Sequence, residues 1–142
     1  MRKPKKEPNA LLSQTARYAL RIVAELARRE ASSPVRAADL LQTTAIPEHY
    51  LSKVLRRLVE HGVLSSQRGH HGGFVLARRP DQVSVAEVLR AVEALPGSAC
   101  VFGWGPCDES APCPLHGTWQ DLNDAFVKWA NNAHFGSDQL SG

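Results

Sequence analysis

Apolar residues near the start of the chain recur at spacings of three and four, which is typical of one helix face. This pattern predicts an amphipathic helix from about Gln14 to Arg29, capped by Ser13 and ended by the break at 31–34. Its apolar positions are Ala16, Ala19, Leu20, Val23, Leu26 and Ala27.

Two further helices are predicted before residue 62. A short helix spans about Ala37–Gln42, and Thr43–Ile46 forms a turn. Pro47 suits the first position of the next helix, which runs to about His61 and stops at Gly62. Its predicted buried stripe is Leu51, Val54, Leu55, Leu58 and Val59. The opposite polar face holds His49, Ser52, Lys53, Arg56, Arg57 and Glu60.

A β-hairpin is predicted after this helix. Its strands are Val63–Gln67 and Phe74–Ala77, and residues 68–73 join them with three glycines. Glycine permits the positive φ angles that a hairpin tip requires. The hairpin would project from the helical part of the chain.

The second half of the chain begins and ends with a helix. A capping box at Ser84 and Glu87 predicts a helix to about Leu95, and a last helix runs from about Thr118 to Ala133. The last helix carries apolar residues at spacings of 3, 4, 3 and 4 from Trp119 to Ala133, as in a coiled-coil seam. We expect a dimer interface there rather than packing on its own domain. The interface residues are Trp119, Leu122, Phe126 and Trp129.

The order of these elements is that of a winged helix-turn-helix. We therefore expect a mainly α fold with a small β-hairpin wing and a long C-terminal dimerisation helix. The predicted organisation is a flexible basic arm at 1–10, a DNA-binding domain at 11–95, a cluster-binding loop at 96–117, a dimerisation helix at 118–133 and a loose tail at 134–142.

The net charge of +3 hides a strong asymmetry. Residues 1–90 hold 16 Lys and Arg against 8 acids, and residues 91–142 hold 1 against 6. The positive charge of residues 1–90 indicates a surface that binds double-stranded DNA. The alternative is an ordinary solvated basic surface. The predicted DNA contacts are His49, Ser52 and Lys53 to base edges, Arg56 and Arg57 to phosphates, and Arg68, Gly69, His70 and His71 in the wing.

Several classes of protein are disfavoured. No apolar run has the length of a membrane span, and no signal-peptide pattern follows Met1, so we expect a cytoplasmic protein without a membrane partner. There is no nucleophile–base motif or phosphate-binding glycine loop, so we do not expect an enzyme. A disulfide framework is unexpected because the chain has only three cysteines.

The three cysteines and a nearby histidine form the candidate metal site. Cys100, Cys107, Cys113 and His116 follow the pattern C-x6-C-x5-C-x2-H within a Gly- and Pro-rich stretch. Three thiols and an imidazole make a four-ligand set for a soft metal. An iron–sulfur cluster suits the wide spacing better than zinc, and a metal-free thiol redox switch is a third reading. The alternative to a metal-containing DNA-binding regulator is a small iron–sulfur protein that transfers electrons.

Four segments together resemble the Rrf2 family of IscR- and NsrR-like repressors. They are residues 12–20 (LSQTARYAL), residues 63–76 (VLSSQRGHHGGFVL), residues 84–93 and the Cys loop. The resemblance implies a dimeric winged-helix repressor that binds a pseudo-palindromic operator. It also implies an iron–sulfur cluster on the three Cys and His116, with 2Fe-2S preferred and 4Fe-4S as the alternative. The cluster would report iron–sulfur supply, iron, nitric oxide or redox stress.

Three departures from that family pattern affect the expected ligands and contacts. The first gap between cysteines is one residue longer than the usual five. Arg17 stands where NsrR-like proteins have an Asp ligand, so His116 is the expected fourth ligand. Ser52 stands where IscR has a Glu that helps the protein choose between DNA sites, which puts that switch in doubt.

Overall fold

A computed structural model describes residues 11–29, 33–97 and 99–136. Its elements are α1 (Gln14–Ala27), α2 (Ala37–Thr44), α3 (Glu48–Glu60), β1 (Leu64–Gln67), β2 (Gly73–Leu76), a 3₁₀ turn (Pro80–Gln82), α4 (Val85–Ala91) and α5 (His116–Asn132). Their order is the predicted one, and the mainly α fold class is confirmed. The predicted basic arm, 1–10, lies outside the described residues. None of the described helices is long and apolar enough to cross a membrane.

Helix α1 is the centre of the hydrophobic core. It packs against α2, α3, α4 and β2, so the N-terminal part of the chain is built around a single helix. Large side chains from four helices are almost fully buried there, namely Ile22, Leu40, Leu51, Leu58 and Leu89. Burying a Leu or Ile side chain stabilises a fold by about 1.5–3 kcal/mol. The core therefore fixes how α3 is held on the domain.

The ends of α1 and α2 and the start of α3 differ from the sequence prediction. The Ser13 hydroxyl caps α1 as expected, 3.2 Å from the Ala16 nitrogen, but α1 ends at Ala27. Helix α2 continues through the predicted turn to Thr44, and Ala45 ends it with a φ of 55°. Pro47 is the residue before α3 rather than its first helical position.

The wing contains a strand contact that the sequence pattern did not predict. Strands β1 and β2 pair antiparallel, with Leu64 opposite Leu76. Val35, just before α2, also pairs with Phe74 through two backbone hydrogen bonds of 2.9 and 2.8 Å. Gly73 permits this approach, because a Cβ there would lie 2.6 Å from the Val35 carbonyl oxygen. The wing is therefore joined to the helix-turn-helix rather than free.

Helix α4 begins as predicted and ends early. Ser84 and Glu87 form the expected capping box. The predicted extension to Leu95 is wrong, because the helix stops at Ala91 and Glu93 adopts a left-handed φ of 56°. The backbone N–H groups after the helix satisfy its last carbonyls, Glu93 to Arg90 at 3.2 Å and Ala94 to Leu89 at 2.8 Å.

Glu87 is expected to make folding sensitive to acid. Burial raises its pKa, but hydrogen bonds from the Ser84 N–H, Arg78 and the Ser84 hydroxyl outweigh burial and leave the pKa below its ordinary value. A lowered folded pKa stabilises the fold above the unfolded pKa, about 4.3, and this stability is lost as the pH falls through the folded value. Between about pH 6 and pH 3, urea unfolding should show a smaller loss of stability for Glu87→Gln than for the wild type. Glu109→Gln, an exposed charge-matched control, should behave like the wild type. Identical pH profiles for wild type and Glu87→Gln would contradict the prediction.

The predicted loose tail is wrong at its start. His134 pairs with Ser84 in an isolated bridge, and the Phe135 side chain is buried in the core. The Phe135 N–H also lies 3.2 Å from the carbonyl oxygens of Pro80 and Val83. Ordered packing therefore continues through Gly136, and residues 137–142 lie outside the described part of the chain.

Candidate DNA-binding surface and cysteine pocket

Helix α3 presents most of its predicted DNA contacts to solvent. His49, Ser52, Lys53 and Arg56 are exposed, whereas Arg57 is half-buried. Arg56 is paired with Glu60 at 3.0 Å within the same helix. The four exposed side chains follow from the helical period, because Leu51, Val54, Leu55 and Leu58 are buried on the opposite face. Val59, expected in that stripe, is only partly buried.

The tip of the wing is exposed, and the residue that precedes α2 is hydrogen-bonded to it. Arg68, Gly69, His70 and His71 are all exposed, as a wing contacting DNA requires. The Arg36 guanidinium donates to the His70 carbonyl oxygen at 2.6 Å. Arg36 precedes α2 directly, so this bond joins the wing tip to the helix-turn-helix. Sequence reasoning missed Arg36, because a contact over 34 residues leaves no local signal.

A second missed residue lies on α3 itself. The Tyr50 ring contacts the exposed His49 ring at a tilt of 42°, with ring centroids 4.4 Å apart. It also contacts the buried Tyr18 of α1 edge-on at 5.8 Å. The only sequence signal was an aromatic residue directly after a predicted DNA contact.

The four predicted metal ligands line one pocket. Cys100, Cys107, Cys113 and His116 surround an open space of about 450 Å³ beside α5. A turn closed by the Gly103 N–H to the Cys100 carbonyl, at 3.0 Å, directs the chain back toward Cys107. His116 was expected in the loop, but it is the first residue of α5, which begins two residues earlier than predicted. The pocket is therefore joined directly to the last helix.

The two outer thiols have different electrostatic surroundings. Hydrogen bonds from the backbone N–H of Phe102, and further ones from Cys113, Trp104 and Gly103, lower the pKa of Cys100 despite partial burial. Burial raises the pKa of Cys113, and the neighbouring Cys100 and Cys107 raise it further. Backbone N–H groups directed at sulfur favour a thiolate, which is the form that binds metals.

The donor types in this pocket fit a soft metal centre, but the side chains do not converge on one point. In residues 11–29, 33–97 and 99–136, no three Cys, His, Asp or Glu side chains are arranged to hold a single ion. Cys107 instead has its sulfur 3.8 Å from the Ala99 carbonyl oxygen. A centre shared by all four ligands therefore requires the loop side chains to rotate toward the middle of the pocket.

Asp108 is a further pocket residue that the sequence analysis did not consider. It lines the same space as the thiols. Hydrogen bonds from the Ser110 hydroxyl at 2.6 Å and the Ser110 N–H at 2.9 Å lower the pKa of its carboxyl group. The charged carboxylate is therefore a second candidate, beside His116, for the fourth donor of a metal centre. Its position directly after Cys107 was the signal that could have identified it.

The predicted dimer stripe on α5 is largely uncovered in the single chain. Leu122 is 53% and Trp129 49% exposed, and Ala130 is the only fully buried residue of α5. The Trp119 indole donates to the Ala99 carbonyl oxygen at 2.9 Å, which ties the helix to the cysteine loop. Phe126 packs partly on the core and lines an apolar groove of about 350 Å³.

Comparison with known proteins identifies the family. The family described as Rrf2, iron-dependent transcriptional regulator, matches residues 12–135. The chain belongs to the Rrf2 family. An Rrf2 protein of Cronobacter sakazakii, the HTH-type transcriptional regulator IscR, is 32% identical over 125 residues, covering 88% of this chain and 77% of the relative. IscR of Escherichia coli is 31% identical over the same shares of both chains.

Solved structures support the same winged-helix fold. CymR, the global cysteine regulator of Bacillus subtilis, superimposes with a TM-score of 0.76 at 27% identity, covering 94% of this chain and 98% of CymR. IscR of T. potens gives a TM-score of 0.73 at 21% identity, covering 93% and 87%. The predicted winged helix with a C-terminal helix is confirmed. This Rrf2 chain is a DNA-binding transcriptional regulator.

Proposed function

We propose that this protein is a dimeric Rrf2 repressor whose DNA binding depends on an iron–sulfur cluster. The carrying observation is that three cysteines and a histidine, spread over 17 residues, line one pocket that adjoins α5. The proposed organisation keeps 11–95 as the DNA-binding domain and assigns 96–117 to cluster binding. A cytoplasmic location suits a protein that acts on chromosomal DNA.

Double-stranded DNA is the proposed partner of α3 and the wing. The exposed polar face of α3 matches the size and chemistry of a recognition helix in the major groove. Arg68 in the wing lies at an exposed tip that suits a minor groove. A symmetric dimer presents two such units, so the operator is proposed to be pseudo-palindromic.

The dimer is proposed to form through the apolar stripe of α5. Leu122 and Trp129 are half-exposed large apolar side chains on one helix, which is costly in water unless a partner covers them. Phe126 and Trp129 pack edge-to-face at 5.4 Å and extend the stripe toward the core. A second copy of α5, related by a two-fold axis, would cover this surface.

Cys100, Cys107 and Cys113 are the proposed thiolate ligands, and His116 is the proposed fourth ligand. A bound iron–sulfur cluster would supply one-electron redox chemistry and sensitivity to iron supply, nitric oxide and oxidants. We expect a 2Fe-2S cluster, with 4Fe-4S as the alternative. The chain itself contributes backbone N–H groups around Cys100, which favour the thiolate.

The proposed coupling runs through the start of α5. Ligation orders the segment that carries the ligands, because metal binding and local folding are linked. His116 begins α5, and Trp119 binds the loop backbone, so ordering the loop would fix the first turn of the dimer helix. A change in this first turn would alter the distance between the two recognition helices of the dimer. Affinity for DNA would change with it, because the two half-sites are about one DNA turn apart.

The decisive experiment combines metal analysis with DNA selection. Protein purified without oxygen should show visible absorption, equal amounts of iron and acid-labile sulfide, and enrichment of a pseudo-palindromic sequence from random duplexes. Removing the cluster should change the affinity for the selected duplex. Protein that never holds iron, or whose affinity is the same with and without the cluster, would show that the sensor proposal is wrong.

Two substitutions on α3 should have different effects on DNA binding. Lys53→Ala should cost about 1–3 kcal/mol and relax preference for one base pair, because Lys53 is placed to reach base edges. Arg56→Ala should weaken binding to all sequences and reduce the salt-dependence slope by about 1, because Arg56 is placed to contact phosphate. Lys128→Ala, an exposed charge on α5, is the matched control. Equal losses for all three variants in a fluorescence anisotropy titration would contradict the assignment.

A thiol-redox regulator is the second candidate, favoured by one arrangement. The Cys100 and Cys113 thiols line the same pocket. Loss of two electrons and two protons to an oxidant such as hydrogen peroxide would join them in a disulfide. Colourless, iron-free protein whose DNA affinity changes reversibly with peroxide and dithiothreitol would select this candidate.

A further inference from the structure

Three aromatic rings connect the core to the exposed face of α3. Tyr18 of α1 is buried, Tyr50 is 36% exposed, and His49 is exposed. The Tyr18 and Tyr50 rings meet edge-to-face, with 62° between their planes and 5.8 Å between centroids. The Tyr50 and His49 rings lie 4.4 Å apart with a 42° tilt. Tyr50 therefore contacts a buried ring on one side and an exposed imidazole on the other.

This arrangement restricts the conformation of His49. An exposed side chain on a helix samples several rotamers, and binding in one of them costs conformational entropy. A ring contact to Tyr50 favours one orientation of the imidazole before any partner arrives. Tyr50 can serve as the support because Tyr18 is 4% exposed and is held by the core.

We propose that Tyr50 is a positioning residue that holds the His49 imidazole ready to contact a base pair. The proposal rests on the proposed DNA-binding role of α3. It assigns the effect to the Tyr50 ring rather than to its hydroxyl group, because both contacts are made by ring faces or edges. The effect on DNA is exerted through His49.

Four variants separate this role from a structural one. Tyr50→Phe keeps both ring contacts, whereas Tyr50→Leu keeps apolar bulk against Tyr18 and removes the aromatic ring that contacts His49. His49→Ala removes the side chain that is positioned. The double variant Tyr50→Leu/His49→Ala shows whether Tyr50 acts through His49.

The probe is the best duplex selected by the wild-type protein from a random library, with each base pair then substituted singly. Tyr50→Leu should weaken binding by about two- to tenfold and flatten the preference at the base pair where His49→Ala also flattens it. Tyr50→Phe should match the wild type. Tyr50→Leu should cause no further loss in the His49→Ala background. In the free protein, the NMR shift of the His49 Cε1–H should change in Tyr50→Leu and not in Tyr50→Phe.

Several results would overturn the proposal. Equal losses from Tyr50→Leu in both backgrounds, with base-pair preference unchanged, would mean that Tyr50 only stabilises α3. If Tyr50→Phe lowered the DNA affinity as much as Tyr50→Leu, the Tyr50 hydroxyl group rather than the ring would be responsible. An unchanged His49 resonance in a folded Tyr50→Leu protein, or wild-type affinity in His49→Ala, would also exclude it. Wild-type protein that binds no duplex would reject the proposed function as well, whereas the other results leave that function intact.

Discussion

Replacing Cys107 by Ala is expected to reduce the iron content of anaerobically purified protein to about a tenth of the wild-type value or less. The same loss is expected for Cys100→Ala and Cys113→Ala, because all three thiols line the one pocket that the proposal assigns to the cluster. Each substitution would leave a bound cluster one thiolate ligand short and open an iron to water. Iron and sulfide analysis and the visible absorption spectrum measure the effect.

Controls within the same loop make this result specific. Ser110→Ala removes a hydrogen bond to Asp108 but no proposed ligand, so the cluster should remain. His116→Ala and Asp108→Ala compare the two candidate fourth donors, and His116→Ala should perturb the spectrum more strongly. Retention of full iron content in all three Cys variants would place the iron at another site and show that the ligand assignment is wrong. A larger effect from Asp108→Ala would reassign the fourth ligand.

Replacing Gly73 by Ala is expected to lower the free energy of unfolding by about 3 kcal/mol. The added Cβ would lie 2.6 Å from the Val35 carbonyl oxygen and 2.7 Å from its carbon, and backbone atoms cannot yield as a flexible side chain does. The substitution should therefore separate Val35 from Phe74 and break their two hydrogen bonds. Urea unfolding followed by tryptophan fluorescence gives the change in stability.

Gly62→Ala is the matched control for this substitution. Gly62 has a φ of 74°, and a Cβ there meets no atom within 4 Å. Gly62→Ala should therefore lower the free energy of unfolding only through backbone strain, by about 1–2 kcal/mol. A Gly73→Ala variant no less stable than Gly62→Ala would mean that the contact between the wing and Val35 is loose. The two variants should also differ in DNA affinity, because only Gly73→Ala moves the wing away from Arg36.

Local patterns predicted much of the fold because local chemistry decides those features. The Ser13 cap and the Ser84–Glu87 capping box form as expected, since the hydrogen-bonding groups are three residues apart. The buried stripe of α3 was also predictable, because the helical period and the Leu and Val positions agree. Helix ends were less predictable. Ala45 and Glu93 end helices with positive φ angles that their residue types do not indicate.

The candidate site was predicted in identity but not in arrangement. Cys100, Cys107, Cys113 and His116 were identified as one group from their clustering in the chain, and they do line one pocket. Their shared pocket also contains Asp108, which only its position next to Cys107 suggested, and His116 belongs to α5, which the spacing does not reveal. These features depend on how the loop folds back on itself.

The family, the order of the elements and the candidate chemistry could all be inferred from the amino-acid sequence. Those properties follow from residue type and from spacings of a few residues, where capping, helical periodicity and thiol clustering operate. Three other features became visible only in the folded chain: Val35 and Arg36 hold the wing, Tyr50 links Tyr18 to His49, and Phe135 returns to the core. The contacts of Val35, Arg36, Tyr18 and Phe135 join residues that lie 32 to 55 positions apart in the chain. The contact between Tyr50 and His49 is local, but the Tyr50 ring is supported by the long-range contact to Tyr18. They arise from packing geometry that no local pattern encodes.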